Sequence, residues 1–297
     1  PKDAWYHGTH GAGIIGAIGN NNRGVAGVCW NVKMMALKIW ADDFNTIPAV
    51  FASDAMLAVQ YAVNNGADII NFSWGGEYDS QPLKEAIEKA GDAGVLFVAA
   101  AGNDYGSDND ATAVYPASYD LDNIISVMST DPNDLMSNFS NYGATSVDIA
   151  APGTDIVSTT PTTGNMSMTV FGVSTNYDML SGTSQSTAYV SGACALVWSH
   201  YPALPKEVIK GLLMKTVDPV LATPERCQSG GRVNLYNALT LIPGGKPGRV
   251  INSKDPAHLY STIQAAIDDA VDGDELIAEA GTLFFEGIDF DGKAITL

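Results

Sequence analysis

Three short segments hold residue types that could carry hydrolytic chemistry. His7-Gly8-Thr9-His10 places two of the chain's four histidines three residues apart. On a helix that spacing puts both rings on one face. It suits a zinc pair, but no glutamate accompanies it as in metalloprotease helices. The pair serves equally as buried structural histidine or as general base. Ser181-Gly182-Thr183-Ser184 precedes a small-residue apolar stretch. A serine at a glycine-preceded helix start stands at the positive end of the helix dipole, either as a cap or as an exposed nucleophile. Val98-Ala99-Ala100-Ala101-Gly102-Asn103 ends a strand-like run on an amide. Sites in open α/β sheets lie at the carboxyl ends of strands. An Asn there can donate to an oxyanion, although Gly-Asn is also a common turn.

These segments need elements to hold them. Val32–Ile39, Ala67–Phe72, Val95–Ala101, Asn123–Met128 and Ser146–Ile149 read as strands. Val50–Asn65 carries apolar residues at helical spacing (Phe51, Met56, Val59, Ala62) and stops at Gly66. Pro82–Ala93, Ser186–His200 and Pro205–Lys215 are the other predicted helices. Strands alternating with helices predict a mainly parallel sheet covered on both faces, an α/β fold of three αβα layers.

The order of the motifs says more than any one of them. His-Gly-Thr-His, Ser73-Trp74-Gly75-Gly76, Ala-Ala-Gly-Asn and Gly-Thr-Ser follow one another. Tyr115-Pro116-Ala117, Phe139-Ser140-Asn141-Tyr142-Gly143, Ala150-Ala151-Pro152-Gly153 and Gly230-Gly231-Arg232-Val233-Asn234 support them. In this set residues 1–240 resemble the subtilisin-like serine proteases. The resemblance implies Ser184 as nucleophile, His7 as general base and His10 as structural. It implies an oxyanion hole of Asn103 and the Ser184 N–H. Ser73, Trp74 and Gly75 become the edge on which a peptide substrate adds as a strand. Ala100, Ala101 and Gly102 become the opposite wall of an apolar specificity pocket. Trp74, where the family often has Leu, makes a bulkier rim, and the Tyr115–Pro116 bond is expected to be cis. The chemistry needs no cofactor, and the partners are protein or peptide substrates.

The chain also departs from the family. The triad carboxylate, which orients the histidine, belongs on a strand well before the histidine motif, and only six residues precede His7. Asp3 sits in the loop leading to His7 and is not assigned that role. The expectation is an N-terminally truncated domain, nearly inactive alone. The alternatives are a dead scaffold that binds without cleaving, or an accessory domain of a polysaccharide-active protein. Gln185 follows the nucleophile where a buried apolar residue is usual. Gly19-Asn20-Asn21-Asn22-Arg23-Gly24 resembles a loop that holds structural calcium in some members, through Asn21 and backbone carbonyls of Gly19, Arg23 and Val25.

The division expected is a peptidase domain over 1–242, a Pro/Gly linker over 243–250 and a second domain over 251–297. The amphipathic stretch Tyr260–Ala270, the turn Asp272-Gly273-Asp274 and the strand-like runs Glu275–Ala280 and Ile288–Leu297 resemble the cap and first coil of a pectate-lyase-like parallel β-helix. That tail offers a surface for polysaccharide contact. The net charge of −18 in 297 residues argues against binding nucleic acid or anionic membranes through the overall field. No run approaches the ~20 apolar residues of a membrane span. A secreted or cell-surface bacterial protein fits the resemblance. Three cysteines, Cys29, Cys194 and Cys227, fit no zinc spacing.

Overall fold

The computed structural model describes residues 3–40, 52–219, 224–240, 250–260, 263–278 and 293–295. Four short strands form its central sheet: β1 (Ile69–Phe72), β2 (Leu96–Ala100), β3 (Ile124–Thr130) and β4 (Ile149–Pro152). All pair in parallel, in the order β1-β2-β3-β4. β2 is apolar and buried at every position, as a strand covered on both faces favours; β3 is buried throughout as well, although Ser126, Ser129 and Thr130 are polar.

Alternate side chains of β2 serve different layers. Leu96 and Val98 join Ile125, Val127, Ile149 and Ala151 on one face. There they meet α5 (Thr183–His200), α6 (Lys206–Lys215) and α7 (Leu235–Thr240). Phe97 and Ala99 join Phe72 and Ile124 on the other face, against α2 (Ala52–Asn64) and α3 (Gln81–Asp92). Leu83, Ala86, Ile87 and Ala90 make one stripe of α3, with the spacing of an amphipathic helix. The three-layer αβα arrangement expected from the sequence is the one found.

Outside the sheet, α1 (His7–Gly16) packs along α5 and against β5 (Ile156–Thr159). β5 pairs antiparallel with β6 (Tyr177–Leu180), and the hairpin encloses α4 (Met166–Phe171). This hairpin is absent from the sequence expectation. Its strands, Ile-Val-Ser-Thr and Tyr-Asp-Met-Leu, are four residues each, too short for a periodicity to mark them.

Two expected strands differ in the structure. In place of Ser146–Ile149 the strand begins only at Ile149, because Thr145 and Ser146 turn back to Asp110. Val32–Ile39 is not in a sheet at all. Its apolar residues are partly turned outward, with Met34 50% and Leu37 37% exposed. A strand is defined by a partner, and this segment has none among the described residues.

The tail forms β7 (Val250–Asn252), β8 (Asp255–Tyr260), α8 (Ile263–Asp269) and β9 (Leu276–Ala278), with a small core of its own. β7 pairs antiparallel with both β8 and β9, whereas coils of a β-helix stack in parallel. Tyr260 ends β8 rather than opening a helix. Of the expected linker, 243–249 lies outside the described residues, and Val250 is a buried strand residue. The last expected strand, 288–297, lies outside them except for 293–295.

The three cysteines are buried and unpaired. Tyr115–Pro116 is cis. No described helix is long and apolar enough to cross a membrane.

One charged pair is built into the fold. Asp148, just before β4, is 6% exposed. Lys210 Nζ reaches it at 3.2 Å and donates to the Ile124 carbonyl at 2.5 Å. Burial pushes the Asp148 carboxyl up, and the Lys210 ammonium and the Ser126 N–H pull it down. Because the folded pKa is raised, the unfolded chain ionises first. Asp148 therefore costs stability as pH rises, and Lys210 limits that cost. Removing one partner of a buried pair costs about 3–5 kcal/mol. Lys210→Met is expected to destabilise by about 3 kcal/mol, with a melting-temperature deficit larger at pH 7 than at pH 4.

Candidate active site

The Ser73, Ala100–Asn103 and Ser184 segments meet at the carboxyl edge of the sheet, and the histidine segment reaches the start of α5 through His10; no hydrogen bond among the described residues joins His7 to Ser184. β1 and β2 are neighbours, with Phe72 opposite Ala99. Ser73 and Ala100 therefore leave the sheet side by side. Ser73-Trp74-Gly75 continues one strand and Ala100-Ala101-Gly102 the other.

Ser184 is the second residue of α5, so the helix begins three residues before the sequence expectation. The N-cap is Gly182, whose N–H donates to the Gly153 carbonyl at 2.8 Å. That carbonyl belongs to the turn after β4. A Cβ on Gly153 would stand 2.7 Å from the Gly182 oxygen and 2.2 Å from Ser186 Oγ, so only glycine lets the strand end and helix start approach.

Ser184 Oγ donates to the Ser73 carbonyl at 3.2 Å, and Ser73 Oγ donates to the Ser184 carbonyl at 3.0 Å. The reciprocal pair staples the start of α5 to the edge beyond β1. Asn71 Nδ2 donates to Ser73 Oγ, and Ser191 Oγ donates to Asn71 Oδ1. The hydroxyl of Ser184 is half-buried, with one side open to solvent.

Asn103 is oriented by a neighbour the sequence did not single out. Its Oδ1 accepts the Thr183 N–H at 2.9 Å and the Thr183 hydroxyl at 3.1 Å. A backbone N–H can only donate, so the atom facing it must be the amide oxygen. The Nδ2 group therefore points the other way. A Cβ placed on Gly182 would lie 2.9 Å from Gln185 Oε1, 3.6 Å from Asn103 Nδ2 and 3.7 Å from the Ser184 nitrogen. Two N–H donors and the Gln185 amide oxygen thus border one space over Gly182, at the start of α5.

The wall residues differ in burial. Ala100 and Ala101 are buried, and Gly102 is half-exposed. Gly102 has φ of +117°, and a Cβ there would meet Asn141 Nδ2 at 2.5 Å. Asn141 holds this corner by donating its N–H to the Gly102 carbonyl and accepting the Asp104 N–H. Trp74 stands edge-on to Phe72 at 5.9 Å and packs against the core cluster under α2 and α3. Part of the ring expected at the rim is thus spent on the core.

The two histidines on α1 have different surroundings. His7 is the first residue of the helix and is half-buried. Burial lowers its imidazole pKa, and the charge of Asp3 acts the other way. Asp3 makes no hydrogen bond to that ring; its carboxylate accepts from Trp5 N–H, Thr9 N–H and Thr9 Oγ1. His10 is completely buried. Its Nε2 faces the carbonyls of Ile156 at 3.1 Å and Asp178 at 3.3 Å, so it carries the proton. Nδ1 is left as acceptor, and Gln185 Nε2 stands 3.4 Å from it. The polar residue after Ser184 is thus matched to a buried ring.

Asn21 lies apart from this group. Its Oδ1 accepts the Arg23 N–H at 3.0 Å in an exposed turn. Calcium takes six to eight oxygens, and the one side-chain oxygen expected there is occupied by the turn itself. Among the described residues no group of three or more His, Cys, Asp or Glu could hold a metal ion. The cavity of about 340 Å³ lined by Tyr119, Asp148 and Lys210 lies at the opposite edge of the sheet.

Comparison with known proteins gives the family of the chain. The profile of the subtilase family matches residues 1–239. Subtilisin DY of Bacillus licheniformis is 37% identical over 210 residues, which cover 71% of this chain and 69% of that protein. Thermitase of Thermoactinomyces vulgaris is 36% identical over 239 residues, 80% of this chain and 76% of that one. A thermophilic serine proteinase of Bacillus sp. (strain AK1) is 38% identical over 81% of this chain, which spans 53% of that protein. Among solved structures, the prenylagaramide maturation protease PagA superposes with a TM-score of 0.65 at 29% identity, over 79% of this chain and 81% of the other.

The His10 surroundings give a direct test. Burial pushes this imidazole below its ordinary value of 6.5, against the pull of the Asp178 and Ile156 carbonyls. The unfolded chain takes up its proton first, so stability is lost as pH falls below that ordinary value. Nitrogen NMR at pH 6.5 is expected to find His10 neutral, with the proton on Nε2. A charged ring, or a proton on Nδ1, rules out the Gln185 contact.

Proposed function

Since the chain belongs to the subtilase family, whose members are serine endopeptidases needing no cofactor for their chemistry, we propose that Ser184, His7 and Asn103 perform its acyl transfer. Ser184 Oγ attacks the peptide carbonyl and its proton passes to the His7 imidazole. The carbonyl oxygen becomes an oxyanion bound by Asn103 Nδ2 and the Ser184 N–H. His7 then protonates the leaving amine, and water releases the acyl group by the reverse steps. The observation that carries this reading is the Asn103 amide, whose Oδ1 is held by Thr183 so that its Nδ2 and the Ser184 N–H border one space at the start of α5.

The Ser184 hydroxyl donates to the Ser73 carbonyl. A rotation about its Cα–Cβ bond redirects it toward an acceptor base, and hydroxyl rotations of this kind are fast on the scale of turnover. Ser73-Trp74-Gly75 and the Ala100-Ala101-Gly102 wall bind the acyl part of the substrate in this proposal. Small residues on that wall leave room for a sizeable apolar side chain.

One observation favours a slower enzyme, or a scaffold that binds without cleaving. No carboxylate among the described residues hydrogen-bonds His7. In the trypsin-type triad, an uncorrected histidine tautomer costs about 10⁴ in kcat. The chain alone is therefore proposed to be weakly active. Secretion is proposed from the family resemblance; contact of the tail with polysaccharide is proposed from its sequence resemblance alone, since its described strands pair antiparallel.

A serine-directed phosphonate is expected to label the chain at Ser184, with labelling lost in Ser184→Ala. Labelling that persists in that variant overturns the reading. Asn103→Leu is expected to slow labelling by about 10²–10³-fold, a magnitude taken from subtilisin itself.

A further inference from the structure

The turn that delivers His7 is held more firmly than a helix entry requires. Tyr6, immediately before α1, has φ of 60°, a left-handed conformation that bulky L residues rarely adopt. It offers no side-chain cap to the helix. Asp3 does that work from three residues upstream. Its Oδ2 accepts the Thr9 N–H at 2.7 Å and the Thr9 hydroxyl at 2.6 Å. Its Oδ1 accepts the Trp5 N–H at 2.9 Å, and the His7 N–H donates to the Trp5 carbonyl at 2.7 Å.

One carboxylate therefore grips both sides of the strained residue. The loop is also braced from outside. Ser167 Oγ donates to the Ala4 carbonyl at 2.6 Å, and the Tyr6 ring stands edge-on to Phe171 at 6.3 Å.

Among the described residues, the charges that act on His7 are few. Asp3 is the carboxylate that acts on it. His10, one turn on, is the other titratable group of α1 that interacts with it. The first turn of α5 brings Thr183, Ser184 and Gln185, none of them charged, and α4 has no titratable residue. Asp178 of β6 interacts with His10.

We propose that Asp3 is a positioning residue, which clamps the turn that aims His7 and holds its carboxylate against the first turn of α1, 3.7 Å from where a Gly8 Cβ would stand. Its catalytic consequence rests on the assignment of His7 as general base. When His7 takes the Ser184 proton it becomes an imidazolium, at the positive end of the α1 dipole. Asp3 offsets that field without forming the bond of a triad carboxylate.

The test uses the full 297-residue chain and does not depend on turnover. His7 is titrated by NMR, its signal assigned by comparison with His7→Gln. In Asp3→Asn the midpoint is expected to move to lower pH. Asp3→Glu keeps the charge and is expected to stay nearer the parent. Thr9→Val keeps Asp3 but removes one clamp bond. It is expected to lower the melting temperature by about 2–4 °C, the usual effect of losing a cap, with the His7 midpoint close to that of the parent. A midpoint unmoved in a folded Asp3→Asn, or moved as far by Glu as by Asn, overturns the proposal. Phosphonate labelling is followed in parallel, and its acid limb is expected to shift with the midpoint. A His7 shift in a chain that takes no label leaves the clamp standing and counts against the protease reading.

Discussion

An α-helix leaves the N–H groups of its first turn without internal acceptors. The way α5 disposes of them governs the rest of the site. Its start is buried at the carboxyl edge of a parallel sheet, where water cannot satisfy every donor. The Thr183 N–H goes to Asn103 Oδ1. The Gln185 N–H turns back to the Gly182 carbonyl. The Ser184 N–H has no acceptor among the described residues. The bond that satisfies Thr183 also fixes the Asn103 amide, so its Nδ2 group faces the same space as the unspent N–H. A rule of helix geometry thus yields two convergent donors without any residue devoted to placing them.

That arrangement depends on close approach elsewhere. β4 must end near enough for the Gly153 carbonyl to receive the Gly182 N–H, and a Cβ at Gly153 would fill the gap. β1 and β2 must be in register for the Ser73 edge and the Ala100 wall to emerge together. The body of α5 then has to cross the sheet carrying Ser186, Thr187 and Ser191, all buried. Each is satisfied: Ser186 on the Ala151 carbonyl, Thr187 on the Thr183 carbonyl, Ser191 on Asn71. Buried polar groups left unpaired cost about 1–3 kcal/mol each. These short hydroxyl side chains keep the helix close to the strands and fix its position along them.

The legible parts of this protein were those with local causes. β2, α3, β3 and α6 are periodic runs closed by Gly or Pro, and the sequence places them within a residue or two. Val32–Ile39 has the same alternating look yet joins no sheet, because periodicity reports which faces are apolar and not whether a partner is present. The hairpin of β5 and β6 gave no signal, since its inward residues include Ser158 and Thr159, held by α1 carbonyls rather than by apolar packing. His7, Ser184 and Asn103 were readable as a set through the order of motifs. Their supports were not. Asn103 and Thr183 are 80 positions apart, and His10 and Gln185 are 175 apart. No local pattern announces such pairings, and Gln185 looked like a misplaced polar residue until its partner was known.

The two histidines show how far position outweighs residue type. They sit three residues apart on one helix. His10 is one turn in, with both ring nitrogens committed to fixed partners, so adding a proton would set two donors against each other at Nδ1. His7 is at the first position, half open to solvent, with its ring free of such bonds. A cation there is opposed by burial and by the helix dipole, and among the described residues Asp3 favours it. The carboxylate that closes the turn is thus also a charge that steadies the proton on His7. Structural capping and the charge near His7 therefore reside in a single side chain, so that removing the Asp3 carboxylate disturbs both, whereas removing a bond at Thr9 disturbs the cap alone.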